Sequence, residues 1–237
     1  MKRLKFILLA VFSISSLISC DNDDFQDPVF QAAVDIYVRS VKIGEEVVHA
    51  PVIYTYSNLA LFSSSVTFKG ETTPRYDLDD TFEGSSRLRS VPLSSDFTTT
   101  DVENGIYEFE ITSTGNEVLK LKDELLEERM EVVNITEFTY DSDTHEFDIT
   151  WDEIEKADVY QVKLTSAIDK NRIFISAGLT SNTYNFKPGK SGWLANFTPE
   201  KGASYTLAVC AYMFESETAT SGYDINHETI EYKTIIW

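Results

Sequence analysis

Short runs in which apolar and polar residues alternate recur along this chain, and they limit its fold more than any other feature. In residues 106–111, IYEFEI, the side chains of Tyr107, Phe109 and Ile111 fall on one side of an extended chain and two glutamates fall on the other. Residues 147–151, FDITW, repeat this pattern. A period of two predicts strands with one face on a core and the other toward water.

Other short β-rich runs are bounded by Gly, Asn, Asp, Ser and Pro, and they occupy residues 33–38, 51–56, 65–70 and 118–121. Several such runs separated by turn residues predict an all-β sandwich or barrel. Two β-rich halves of about 100 residues each match two units of immunoglobulin size. We therefore expect tandem β-sandwich domains over residues 31–121 and 132–237. The intervening residues 122–131 are predicted to be a linker, with one helical turn within KDELLEERM.

The second half carries the sharper pattern. The segments ITWDEIEKADVYQVKL and PEKGASYTLAVCA resemble the fibronectin type III family, and the resemblance extends from about Val132 to Trp237. It implies that Trp151 is the core tryptophan and that the hydroxyl group of Tyr205 ties the corner loop. It also implies a strand over residues 183–186 and a closing strand over residues 228–236. The first half is loosely similar to immunoglobulin-like domains and has no signature residue.

The first 20 residues have the order of a secretory signal. Lys2, Arg3 and Lys5 precede the uncharged stretch 6–18, which is shorter than the roughly 20 residues of a membrane span. The sequence Leu-Ile-Ser-Cys that ends at Cys20 resembles the lipobox of bacterial lipoproteins. That resemblance implies that residues 1–19 are removed and that Cys20 carries lipid that anchors the chain to a membrane. An ordinary signal peptide or an anchored helix is the alternative.

An acidic run follows this cysteine, within residues 20–30, which we interpret as a solvated tether. The run resembles the surface-export signal of lipoproteins in a large group of gut and environmental Gram-negative bacteria, and its residues are Asp21, Asn22, Asp23 and Asp24. The resemblance implies an outer-membrane protein facing the cell exterior. A periplasmic face is the alternative, because an aspartate directly after the cysteine is read as a retention signal in enteric bacteria.

The charge of the chain excludes one class of partner. The formal net charge is −19, and removal of residues 1–19, which carry three positive charges and no acids, makes it −19 − 3 = −22. Nucleic acid is not expected as a partner, because its binding needs a basic surface. If Cys20 carries lipid, Cys210 has no partner, so no disulfide is expected.

No pattern in the chain predicts catalysis, a cofactor or a metal site. The three histidines lack metal-binding spacing, and nucleophile-elbow and phosphate-loop motifs are absent from the sequence. The acidic clusters at residues 77–80 and 141–146 are interpreted as solvated turns, because both lack the glycine and glutamate of a calcium loop, and a weak calcium site is the alternative at each. We therefore expect a protein that is not an enzyme.

The remaining candidate is Trp193, in an insertion of about ten residues beyond the usual fibronectin type III length. Pro188-Gly189 and Ser191-Gly192 predict a projecting turn. Trp193 at its tip could bind a ligand, or it could fold back with Leu194 to cap the sandwich, which we favour. The expected function is a binding accessory for a glycan or a protein in uptake or adhesion. The alternative is a structural spacer without a ligand.

Overall fold

A computed structural model describes residues 28–79, 84–141, 143–167, 171–194, 197–215 and 224–237. These residues form an all-β protein, as predicted. Its strands are β1 Ala32–Ile43, β2 Glu46–Ser57, β3 Leu61–Phe68, β4 Tyr76–Leu78, β5 Arg87–Ser90, β6 Gly105–Ser113, β7 Val118–Leu125, β8 Ile135–Asp141, β9 Glu146–Trp151, β10 Val159–Ser166, β11 Arg172–Ile175, β12 Thr183–Phe186, β13 Ser204–Phe214 and β14 Ile225–Ile236. Cys20 and the run Asp21 to Asp24 lie outside the described residues, and their roles stay predictions.

One sheet extends through both halves of the chain. Its seven strands have the order β11-β10-β13-β14-β1-β2-β5, and β1 pairs in parallel with β14, with Val38 opposite His227. Two smaller sheets, β12-β9-β8 and β4-β3-β6-β7, complete the fold. Each of them packs on the part of the large sheet that comes from its own half of the chain. The predicted division into two domains stays a prediction, since the halves share this sheet.

Two apolar cores lie between the sheets. The core of the first half contains Tyr107, Phe109 and Ile111, and all three are buried, as their alternation predicts. The core of the second half is richer in aromatic rings and contains Trp151, which is fully buried. The Tyr205 hydroxyl accepts a hydrogen bond from the N–H of Glu200 at 3.0 Å, which is the predicted tie of the corner loop.

The predicted helical turn after residue 121 is wrong. Residues 122–125 continue β7, which pairs along its whole length with β6 and buries Leu125. Helix propensity is a weak preference, and a strand partner with a matching apolar face outweighs it. No helix in the described part of the chain is long and apolar enough to cross a membrane.

The segment that follows, residues 126–134, runs along β14 and is held by side chains of that strand. Asn226 Oδ1 accepts the N–H of Leu126 at 2.8 Å, and His227 Nδ1 accepts the N–H of Met130 at 2.8 Å. Thr229 Oγ1 accepts a further N–H from Val133 at 3.3 Å. Backbone groups outside a sheet need such partners when they are buried. The connection between the halves is therefore docked on the large sheet.

Candidate functional site

The large sheet has a second face, opposite the two cores, which we call the groove face. On β1, Asp35, Tyr37 and Arg39 alternate with Ile36 and Val38, which belong to a core. The pleat of a strand sends these two sets to opposite sides. Because β1 and β14 pair, residues from both halves of the chain meet on the groove face.

A groove of about 310 Å³ lies on this face. Its volume is near the lower end of the roughly 300–1,000 Å³ of small-molecule sites. Its lining consists of Asp35, Tyr37, Arg39, Tyr54, Tyr56, Val159, Gln161, Lys163, Tyr212, Phe214, Ile225 and Glu228. Aromatic rings and a few fixed polar groups are the usual composition of such a site.

Three tyrosines form one side of the groove. Tyr37 stacks with Tyr54 at a centroid distance of 6.4 Å and an interplanar angle of 15°. Tyr54 stacks with Tyr56 at 5.5 Å and 12°. The three rings are nearly parallel, with Tyr37 buried and the other two partly exposed. They provide a preformed aromatic surface with hydroxyl groups on it.

The centre of the groove contains a buried ion-pair network around Glu228, which is 1% exposed. Arg39 Nε lies 2.6 Å from one carboxylate oxygen of Glu228, and Lys163 Nζ lies 3.6 Å from the other. Burial alone would raise the pKa of Glu228, but Arg39 and Lys163 lower it below its ordinary value. Glu228 is therefore ionised, and the positive charges of Arg39 and Lys163 balance its negative charge.

Three more carboxylates meet beside the groove. They belong to Asp35 on β1, Asp123 on β7 and Glu215 after β13, and one oxygen of each lies within 4.8 Å of the others. Burial is the largest cause that raises the pKa of Asp35 to about 9 and that of Glu215 to about 8, and neighbouring carboxylates add to it. Burial also raises the pKa of Asp123 to about 6, although the N–H groups of Ile36 and Glu124 act in the opposite direction. The cluster therefore opposes negative charge when no cation balances it.

Trp193 does not project from the molecule. Its ring lies 5.0 Å from that of Phe174 and 5.6 Å from that of Trp237, and its Nε1 donates a hydrogen bond to the Lys187 carbonyl at 2.9 Å. The ring covers the end of the second core, which is the arrangement of the capping alternative. Leu194 is instead half exposed. Ligand binding by Trp193 stays a prediction.

Asp141 and Cys210, two further residues singled out in the sequence, have structural roles. Asp141 Oδ1 accepts the N–H groups of Asp143 and Thr144, which makes the predicted turn in that acidic cluster. Cys210 lies on the groove face but is fully buried, and burial raises the pKa of its thiol to about 11. A buried thiol of this kind is not activated as a nucleophile.

Sequence reasoning missed the groove face. One signal was present: Asp35 and Arg39 interrupt the apolar run of β1 on the same side as Tyr37. Alternation alone places such a side toward water, because the pairing of β1 with β14 cannot be seen in it. Tyr54 and Tyr56 likewise fall within a predicted strand, at residues 51–56, and alternation does not identify the strands beside it.

Comparison with known proteins adds little to this geometry. No protein-family model matches the chain, and no curated protein matches it. Among solved structures, the chain is similar to a DUF3823 family protein from Bacteroides uniformis ATCC 8492, with 8% sequence identity and a TM-score of 0.34. The match covers 87% of this chain and 99% of the other. That protein's name states no catalytic activity, and a TM-score of this size carries no argument about function.

Proposed function

We propose that this protein is a lipid-anchored binding protein that is not an enzyme and that holds a glycan in the groove of its large sheet. The observation that carries the proposal is the stack of Tyr37, Tyr54 and Tyr56 beside fixed polar groups in a concave site. Flat aromatic rings can pack on the C–H face of a sugar, while charged and amide groups hydrogen-bond its hydroxyls.

The size of the groove favours a glycan over a protein as the ligand. A volume of about 310 Å³ suits one or two sugar rings. Stable protein interfaces instead bury about 800 Å² on each partner. The lining also supports binding rather than catalysis, since Glu228 is engaged by Arg39 and Lys163 and is not free to act as a base.

The anchor is proposed from the sequence of residues 1–24. Mass spectrometry of the native N-terminus should find acylated Cys20 as the first residue, and an unmodified Cys20 would disprove the anchor.

Protease treatment of intact cells should digest the wild-type protein, whereas replacement of Asp21 to Asp24 by alanine should protect it. Equal digestion of both proteins, or resistance of the wild type, would contradict display on the outer membrane's exterior.

The glycan proposal is tested with a glycan array followed by titration of the best ligand. We expect Tyr54→Ala and Tyr56→Ala to weaken binding at least about tenfold, because each removes an aromatic contact worth about 1.4 kcal/mol or more. Tyr184→Ala, on β12 away from the groove, is the matched control and should bind as the wild type does. A protein that binds no glycan, or that binds equally after both groove substitutions, would refute the proposal.

A spacer role without a ligand is the second candidate. The continuous sheet and the docked segment 126–134 favour it, because both oppose hinge motion between the halves. The glycan array distinguishes the two candidate functions, because a spacer should bind none of the glycans.

A further inference from the structure

The carboxylates of Asp35, Asp123 and Glu215 come from three distant parts of the chain. Asp35 and Asp123 belong to the first half, and Glu215 follows β13 in the second half. Asp123 is held in place by two backbone donors: Ile36 N–H bonds to its Oδ2 at 2.7 Å, and Glu124 N–H bonds to its Oδ1 at 3.0 Å. The three side chains are thus brought together by strand packing across the seam between β1 and β14.

Two of these carboxylates have an oxygen without a partner. Asp35 is 1% exposed, and its Oδ1 is buried without a hydrogen-bond partner among the described residues. Glu215 Oε1 is also buried without a hydrogen-bond partner among the described residues. Buried polar atoms are almost always paired in stable proteins, so an unpaired oxygen beside two further carboxylates needs an explanation.

The charged groups around the cluster also leave its negative charge unbalanced. Among the described residues, the charged groups that act on these three carboxylates are the cluster's own members together with Glu124 and Asp224, which are also acidic. No lysine or arginine of the described residues forms an ion pair with Asp35, Asp123 or Glu215. Glu228 differs in this respect, because it has two cations beside it.

The spacing of the oxygens fits a cation. Two oxygens bound to one Ca²⁺ lie at most about 4.6–5.2 Å apart, since each bond is about 2.3–2.6 Å long. The three carboxylate oxygens lie within 4.8 Å of one another. The donors are all oxygens, which selects hard cations over Zn²⁺ or Cu²⁺.

We propose that Asp35, Asp123 and Glu215 bind a divalent cation, with Ca²⁺ preferred, at the seam between the two halves of the chain. Ca²⁺ accepts irregular sets of oxygen ligands and completes its shell with water or carbonyl groups, whereas Mg²⁺ requires near-octahedral geometry. The bound ion supplies the missing partner of Asp35 Oδ1 and joins β1 and β7 to the end of β13. The inference is independent of the groove's ligand.

The first experiment is thermal unfolding of the purified full-length protein, stripped with EDTA and then titrated with Ca²⁺ or Mg²⁺. For an affinity on the order of 10⁻⁴ M, 10 mM Ca²⁺ is about a 100-fold excess and should raise the Tm by about 5–10 °C. Mg²⁺ should have a smaller effect. An unchanged Tm with both ions would overturn the proposal and leave the cluster as protonated carboxyl groups.

Variants separate this site from the general acidity of the protein. Asp35→Asn should fold, because an amide has nearly the same shape as the protonated carboxyl group that burial favours, and it should abolish the Ca²⁺ shift. Asp123→Asn should also abolish the shift, whereas Asp77→Asn, at an exposed side chain of β4, is the matched control and should keep the full response. A response that persists in Asp35→Asn and Asp123→Asn would assign Ca²⁺ to other acids and refute the site.

Direct binding gives a second readout. Tb³⁺, which replaces Ca²⁺ in oxygen sites, should luminesce on tyrosine excitation, since Tyr54 is the cross-strand partner of Asp35. Excess Ca²⁺ should quench this emission, and Asp35→Asn should lack it. Equal emission from Asp35→Asn and the wild type would contradict the site even if both proteins fold.

Discussion

The two faces of the large sheet are stabilised in different ways. The face toward the cores buries apolar side chains in alternation, such as Ile36 and Val38 on β1. The groove face buries polar and charged groups as well, among them Asp35, Tyr37 and Glu228. Burial of apolar area is favourable wherever it occurs, but burial of a charge is tolerated only with a suitable partner. The stability of the core-facing side therefore depends on how much apolar area it buries. The stability of the groove face depends on which charged and polar side chains lie next to one another.

The largest expected effect is on the core side, at Trp151. Trp151→Ala removes a fully buried ring from the aromatic core and should lower the free energy of unfolding by about 3–5 kcal/mol. Urea unfolding followed by circular dichroism measures it. Trp151→Phe should cost less, because the lost volume is smaller and the buried Nε1–H, which has no partner among the described residues, is removed. Near-native stability of Trp151→Ala would refute its core position.

On the groove face, substitution of Glu228 should destabilise the protein most directly. Glu228→Gln leaves Arg39 and Lys163 side by side without a counter-ion and should cost about 3 kcal/mol. Glu110→Gln is the control, since its pair with Lys120 is exposed to solvent and should contribute little to stability. If both variants unfold at the same urea concentration as the wild type, the buried network does not stabilise the groove face.

The end of the second core gives a smaller effect, at Trp193. Because the ring is only partly buried, Trp193→Ala should cost about 2 kcal/mol, half of the cost of a fully buried tryptophan. Leu194→Ala, at the half-exposed neighbour, should change the Tm little. Unchanged melting of Trp193→Ala together with lost glycan binding would instead support the alternative in which Trp193 binds the ligand.

The smallest expected effect lies at the seam between the halves, where His227 is buried on the core side. Its Nδ1 accepts the Met130 N–H, so its Nε2–H donates to Ser40 Oγ at 2.7 Å, and Ser40 in turn faces His49. Burial, with Arg129 and His49 adding to it, lowers the pKa of His227 to about 3. The neutral ring is thus the form that the folded protein requires.

The pH dependence follows from this shift. The unfolded chain takes up a proton near pH 6.5, but the folded protein does so only near pH 3, so stability is lost as the pH falls through this window. Between pH 7 and pH 5.5 the loss from His227 is about 1 kcal/mol. His227→Gln should lack this part of the pH dependence, whereas His145→Gln, at an exposed histidine, should retain it. Parallel pH profiles of wild type and His227→Gln would contradict the assignment.

Much of the fold could be predicted from the residues themselves. The alternation in β6 and β9 identified their buried sides, and the segment around Tyr205 identified a corner that the structure contains. Residues 122–125 show where this reasoning fails, because their helix-forming composition does not reveal the partner strand β6. Local patterns report a strand's own faces, but they do not report which strand lies beside it.

The candidate site shows the same limit. The sequence by itself determined that the chain is an acidic all-β protein with strands of known inner face and a core around Trp151. Only the tertiary structure decided that β1 pairs with β14, and this pairing brings Arg39 to Glu228 and Asp35 to Glu215. Those partners are separated by about 180 residues or more along the chain. The physical reason is that hydrophobic alternation is a property of neighbouring residues, whereas the environment of a buried charge is set by side chains that only folding brings within a few ångströms.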